Sequence, residues 1–269
     1  MRVAVVGHVE WVEFVDVAHV PVAGEIVYGT PAVALAAGGG AVAAAQLARW
    51  GAECVFFTAF GDDELGHRAR AELVARGVTV HAVFRAEPQR RAITLVDAHR
   101  ERTVVVIGER HVPHAHDPLP WHELAQCEAV YITGGDAGAV RAARAARAVV
   151  ATSRVLPLLR TAAIPIDVLV GSANDASERY AEGDLDPAPH VVVRTNGAHG
   201  GTYSVDGEPH AYSAVPTQVC GDTYGAGDTF AAALAFAYAE RRAPADAIAF
   251  ASARAAEVLA FRGPFPPGV

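Results

Sequence analysis

The chain has 269 residues, 52% of them apolar, and a net charge of -8. That length can bury a substantial core. It holds no run of roughly 18 uninterrupted apolar residues of the kind that spans a bilayer, and no basic run suited to nucleic acid or an anionic membrane. A soluble protein acting on a small molecule is therefore expected.

All 22 basic residues are arginine, so a P-loop lysine is excluded, and phosphate must be met by arginine, backbone amides or a metal ion. The three cysteines, Cys54, Cys127 and Cys220, have neither zinc nor disulfide-framework spacing, which fits a reducing cytoplasm.

In chain order, residues 2 to 7 read as a buried first strand rather than a signal peptide, because Glu10, Glu13 and Asp16 soon break the apolar run. Strands are expected at Val3 to Val6 within that run, and at Cys54 to Thr58, Ala129 to Thr133, Val168 to Val170 and Val191 to Arg194. Helices are expected at 41–50, 64–76, 138–150, 154–162, 226–241 and 244–261. Continuous β-branched runs predict a mostly parallel sheet buried on both faces, with helices above and below it. Residues 11–36 and 78–107 interleave valine, threonine and polar residues with no helix between, and predict antiparallel strands. Paired together, they would form a small sheet covering a site as a lid, although a sheet extension or a dimer contact fits the same pattern. With no internal repeat and no dividing linker, one domain over 1–269 carrying that lid is expected.

The chemistry concentrates in Asp222-Thr223-Tyr224-Gly225-Ala226-Gly227-Asp228, which runs straight into the helical stretch from Ala231. Gly225, Ala226 and Gly227 let backbone amides at a helix N-terminus face an anion. Asp228 stands at the edge of that hole as a general base; the competing role is a helix-capping acid. Asp136, after the strand at 129–133, lies where open α/β sheets place ligand groups, or simply in a turn. Arg90 and Arg91 would grip a phosphate or carboxylate, or form a solvated pair. His111, His114 and His116 lack regular ligand spacing. A dinucleotide enzyme is set aside, because the first strand ends in Gly7-His8-Val9-Glu10 rather than in a glycine-rich turn.

Residues 222–228 match Asp-Thr-x-Gly-Ala-Gly-Asp, and in this the chain resembles the ribokinase-like sugar kinases of the phosphofructokinase-B type. Gly38-Gly39-Gly40, Gly61-Asp62-Asp63-Glu64-Leu65-Gly66, Glu101-Arg102-Thr103 and Thr195-Asn196-Gly197-Ala198-His199-Gly200-Gly201 follow in the family's order. The resemblance implies a three-layer α/β/α sandwich with a β-sheet lid. It implies ATP, Mg2+ and K+ as cofactors, and transfer of the γ-phosphoryl group to a small-molecule alcohol. Asp228 would be the base and Gly225, Ala226 and Gly227 the anion hole. Asp222 and the Tyr224 carbonyl would belong to a monovalent-cation site. Thr195, Gly197, Gly200, Ser252 and Asn174 would contact the nucleotide, Glu178 would organise magnesium, and Glu10, Gly38, Gly39, Asp136 and Arg91 would face the acceptor.

Two departures stand out. The family's Asn-x-x-Glu is here Asn174-Asp175-Ala176-Ser177-Glu178, with the acid one residue late and Asp175 as a second candidate. The polar groups expected around a sugar are replaced by Val12 and Val42, which moves the expected acceptor from plain ribose or fructose towards a modified sugar. A nucleoside or a hydroxymethylpyrimidine, on which Trp11 or Phe14 would stack, is the alternative. A ligand sensor on the same scaffold is the alternative from another class. An exposed lid sheet also suggests a homodimer formed through the lid.

Overall fold

The computed structural model describes residues 1–266; residues 267–269, the end of the expected domain, lie outside the description. The first half of the chain contains β1 (Arg2–Val6), β2 (Glu10–Asp16), β3 (Thr30–Ala37), α1 (Gly39–Arg49), β4 (Glu53–Gly61), α2 (Glu64–Ala75), β5 (Thr79–Arg85), β6 (Arg91–Val96) and β7 (Arg102–Ile107). There follow β8 (Ala129–Ile132), α3 (Ala137–Ala143), β9 (Ala148–Thr152), α4 (Leu156–Ala162), β10 (Val168–Ser172) and β11 (Val191–Thr195). The chain closes with β12 (Gly201–Val205), β13 (Glu208–Tyr212), α5 (Ala226–Ala239) and α6 (Pro244–Val258).

The central sheet has nine strands in the order β13-β12-β11-β10-β9-β8-β1-β4-β5. Every pairing from β11 to β5 is parallel, and only the terminal hairpin β12–β13 turns back. Strands this apolar fit only where both faces are covered. In β1, Val3 and Val5 join one apolar cluster with residues of α1, α5 and α6, while Ala4 and Val6 join the other with residues of α3 and α4. The alternation of side chains along each strand thus divides one run of sequence between two cores. Among the described residues, no helix is long and apolar enough to cross a membrane.

A second sheet, in the order β3-β2-β6-β7, forms the expected lid. Its composition corrects the sequence reading twice. Residues 79–85 are the edge strand of the central sheet, parallel to β4, so the lid's second part begins only at β6. The lid is also mixed rather than antiparallel, because β2 and β6 pair in parallel. These two strands leave the same end of a parallel sheet, β2 after β1 and β6 after β5, so their continuations meet pointing the same way.

The helix expected at 138–150 stops at Ala143, and residues 148–152 are β9 in the middle of the sheet. Alanine favours a helix locally, but Val149 and Val150 are fully buried on opposite faces. Arg144 closes the helix end by donating to the carbonyls of Ala146 and Arg147 and to Asp167 Oδ2, at 2.9, 2.8 and 2.6 Å. Tertiary burial here overrides propensity.

On the α3/α4 side, the Phe57 ring is fully buried and stacks on Trp121 with centroids 5.1 Å apart. Phe57→Ala should cost about 3–5 kcal/mol, read as a lower urea midpoint at unchanged slope.

Candidate active site

The candidate site forms where the carboxyl ends of β1 and β8 meet the N-termini of α1 and α5. Asp228 lies in the first turn of α5 behind Gly225, whose φ of 78° is left-handed and whose missing Cβ would stand 2.6 Å from Pro264 Cβ. A side chain is doubly excluded there. From the other side, the α1 N-terminus comes so close that a Cβ on Gly39 would lie 3.0 Å from Asp228 Oδ1 and 3.2 Å from Thr133 Oγ1. Glycine is what lets the second helix reach the carboxylate. Gly227 is exposed, with nothing within 4 Å of where its Cβ would be, so protein packing does not explain its bareness.

Burial raises the Asp228 pKa to about 6, against the charges of Arg154 and Arg102 and with a further push from Glu178 and Glu10. Thr133 Oγ1 lies 3.2 Å from His8 Nδ1, and the other ring nitrogen of His8 lies 3.8 Å from Glu10 Oε1. Burial, helped by Arg110 and Arg90, lowers His8 to about 3, so its ring is neutral near pH 7. Glu10 is raised by burial, against the pull of Arg90, whose Nε stands 2.8 Å from Glu10 Oε1. Gly38 adjoins Glu10, and its backbone N–H donates to the Tyr224 hydroxyl at 3.3 Å. Val12 and Val42 are fully buried in the core on the α1/α5 side of the sheet.

A pocket of about 250 Å³ opens at the carboxyl ends of β9, β10 and β11, and Ser153, Ser172, Asn174, Asp175 and Glu178 are among the residues lining it. Glu178 accepts from the Ser172 N–H at 2.7 Å and pairs with Arg154, which also reaches Asp175 at 3.0 Å. Asn174 Nδ2 donates to Asn196 Oδ1 at 3.0 Å, so the Asn174 loop is joined to the turn at Gly197–His199 that follows Thr195. Gly200 closes that turn with φ 78°. Ser252 lies in α6 and donates to Ile248 O at 2.9 Å within its own helix. Asn174, Asp175 and Glu178 carry oxygen donors of the kind a hard cation such as magnesium prefers, and in this structure Arg154 pairs with both carboxylates.

The monovalent ion fits less well. Asp222 is fully buried, and its carboxylate already accepts from the N–H groups of Tyr224 and Gly263, each at 2.8 Å, and from Arg262 Nη1 at 3.3 Å. Thr223, next in the chain, accepts from Arg102 of lid strand β7 at 2.6 Å.

Several sequence candidates take other roles. Arg91 pairs with Glu13 at 2.6 Å on the lid face opposite Glu10, so its neighbour Arg90 is the arginine at the site. Asp136 caps α3, its Oδ1 accepting from Ala139 and Ala115 at 2.7 and 3.0 Å. Trp11 lies under the Arg68 guanidinium at 4.6 Å, and Phe14 packs edge-on against Tyr224 at 5.0 Å. His114, His116 and Asp117 do gather within 4.8 Å, but both Asp117 oxygens face Arg85, at 2.9 and 2.6 Å.

The nine-stranded, mostly parallel sheet with a small sheet over its active edge is the ribokinase fold. The sequence model of pfkB family carbohydrate kinases matches residues 1–265, and the chain belongs to that family. No curated protein matches it. A ribokinase from Arabidopsis thaliana, solved with ribose and ATP, is 21% identical with TM-score 0.75, over 98% of this chain and 96% of that one. A Thermotoga maritima ribokinase is 19% identical with TM-score 0.80, over 99% and 96%. An adenosine kinase from Sinorhizobium meliloti is 19% identical with TM-score 0.76, over 99% and 96%.

Sequence reasoning did not find His8, Thr133, Arg154 or Arg262. Thr133 and Arg154 each stand just past the carboxyl end of a parallel strand, a position that signals a ligand group once the strand is known.

Asp228 carries a thermodynamic signature. Its folded pKa lies above its unfolded value of 3.8, so the folded state holds that proton more tightly. The resulting stabilisation is full below the unfolded value and is lost as pH rises through about 6. Asp228→Asn should therefore stabilise the fold near pH 7 by roughly 1–2 kcal/mol, allowing for the water that still reaches the carboxylate. The difference in melting temperature from the parent should shrink as pH falls towards about 5.

Proposed function

We propose that this chain transfers the γ-phosphoryl group of ATP to a hydroxyl of a sugar derivative, with Asp228 as the general base. The carrying observation is one carboxylate, with its pKa raised to about 6, held in the first turn of α5 and approached by Gly39 and Thr133. Asp228 takes the proton of the acceptor hydroxyl as that oxygen bonds to the γ-phosphorus. The bond from phosphorus to the bridging oxygen breaks, and ADP leaves with that electron pair. The amides of Gly225, Ala226 and Gly227 meet the charge that builds on the γ-phosphoryl oxygens, a preorganised use of the helix N-terminus. The open space beside Gly227 gives the phosphoryl group clearance.

In a chain without lysine, arginine supplies the mobile positive charge. Arg154, half exposed and paired with Asp175 and Glu178, exerts the strongest single pull towards ionisation on Asp228, and we assign it to the β,γ-phosphates. Glu178, Asp175 and Asn174 would hold magnesium, which when bound neutralises charge on those same phosphates. The loop Thr195 to Gly200, joined to Asn174 through Asn196, takes the rest of the nucleotide, with Ser252 near the base. The lid closes over the acceptor, with Arg102 on Thr223, and excludes water. We read residues 1–269 as one such domain, acting in the cytoplasm and pairing with a second copy through the exposed strand β7.

For the acceptor, Glu10, Arg90 and neutral His8 offer hydrogen bonds, and Val12 and Val42 stand in place of the polar groups a free sugar would need. That loss favours a partly deoxygenated or base-bearing sugar over a free pentose, so a nucleoside is the second reading.

A screen of ATP consumption against modified sugars, nucleosides and pyrimidine alcohols tests this directly. Asp228→Asn should lower turnover with the best acceptor by about 10²–10⁴-fold. Near-normal turnover in that variant refutes the base assignment, and binding of acceptors without ATP consumption points to a sensor.

The acid limb of the rate profile should fall near pH 6, because a protonated Asp228 cannot accept the hydroxyl proton. Arg154→Met should move that limb to higher pH while lowering kcat. A limb that stays put separates Arg154 from the base.

A further inference from the structure

We propose that the guanidinium of Arg262 is the cation of the anion-hole loop, built into the chain in place of a bound monovalent ion, and that it also ties the lid to that loop. Asp222 opens the motif that ends in Asp228 and is fully buried. An ionised carboxylate out of contact with water requires a positive partner and hydrogen-bond donors. Both are present within the chain. The Tyr224 N–H reaches Oδ1 and the Gly263 N–H reaches Oδ2, each at 2.8 Å, and Arg262 Nη1 stands 3.3 Å from Oδ2.

A potassium ion would also need carbonyl oxygens from the two loops that meet here, and three of those oxygens are engaged. Leu259 O accepts from the N–H groups of Cys220 and Gly221 at 3.0 and 2.9 Å, Phe261 O accepts from Asp222 at 3.0 Å, and Pro264 O accepts from Gln46 Nε2 at 2.8 Å. The loops are zipped together closely enough that a Cβ on Gly221 would stand 1.6 Å from Phe261 O. An ion entering between them would break these bonds and meet the charge of Arg262 at the same carboxylate. The other arm of Arg262 pairs with Asp16 at the end of lid strand β2. One guanidinium thus neutralises the loop that shapes the anion hole and anchors the strand above it.

That the loop serves nucleotide binding rests on the kinase reading; the charge balance at Asp222 does not. The test compares the full chain in potassium chloride and in tetramethylammonium chloride at equal concentration, reading melting temperature and the calorimetric affinity for magnesium-ADP. Wild type should show the same melting temperature and the same affinity, within about twofold, in both salts. Arg262→Ala should melt lower and bind ADP roughly tenfold more weakly in tetramethylammonium, the scale of a lost charge-assisted contact, and potassium should restore part of both. Arg262→Lys should keep most of each. The proposal is overturned if potassium raises the wild-type melting temperature or tightens its ADP binding by about tenfold or more. It is equally overturned if Arg262→Ala matches wild type in both salts. Should Arg262→Ala not fold, the wild-type comparison and Arg262→Lys still decide. No ADP binding in either salt would refute the kinase reading, while the melting comparison would still judge the cation.

Discussion

The site depends on keeping one carboxylate, Asp228, ionisable where two helix N-termini converge. Burial alone would hold it neutral. What brings it back to about 6 is positive charge carried in from elsewhere, Arg154 past the end of β9 and Arg102 on the lid. The geometry enforces this, because Gly39 brings α1 against the carboxylate and Gly225 turns the chain into α5. A side chain at either glycine would push the helices apart and let water in. The carboxylate is therefore poised by its surroundings, and those surroundings come from distant parts of the chain.

Arginine has taken over every cationic role, and this shapes the architecture. A guanidinium is planar and can hold two partners at once, and the chain uses that repeatedly. Arg154 spans Asp175 and Glu178, Arg262 spans Asp222 and Asp16, and Arg102 holds both the hydroxyl and the carbonyl of Thr223. Two of these three pairings cross from the lid to the loop that opens at Asp222. A lid tied by such bridges stays registered over the loop beneath it.

Much of this was legible in the sequence because it is local. The seven residues from Asp222 to Asp228 specify their own turn and helix start, and the β-branched runs at Val3, Cys54, Val168 and Val191 fit only a sheet buried on both faces. What escaped was long-range or locally misleading. β9 is alanine-rich and looks helical until its burial is known, and mistaking it hid the strand end that presents Arg154. His8 and Thr133 are 125 residues apart, and Arg262 and Asp16 are 246 apart. No periodicity connects such pairs; only the sheet order, with β8 beside β1, and the return of the chain after α6 bring them together. Arg91 was preferred over Arg90 for a related reason, since strand alternation is visible in sequence but the choice of face is not.

The donor and acceptor halves also differ in physical character. On the proposed donor side, Asp175, Glu178 and Arg154 exchange charge at a half-open pocket. Around Glu10 the charges are more buried. Arg90 pairs with Glu10, Arg110 adds a second positive charge nearby, His8 is neutral, and Val12 and Val42 add no polar atoms. Under the proposed function, a highly hydroxylated acceptor would lack partners at those valines, which is costly in a closed cleft, whereas a modified sugar with fewer hydroxyls would not. Selectivity would then arise from where hydrogen bonds are absent, and the one hydroxyl that must be met is the one that reaches Asp228.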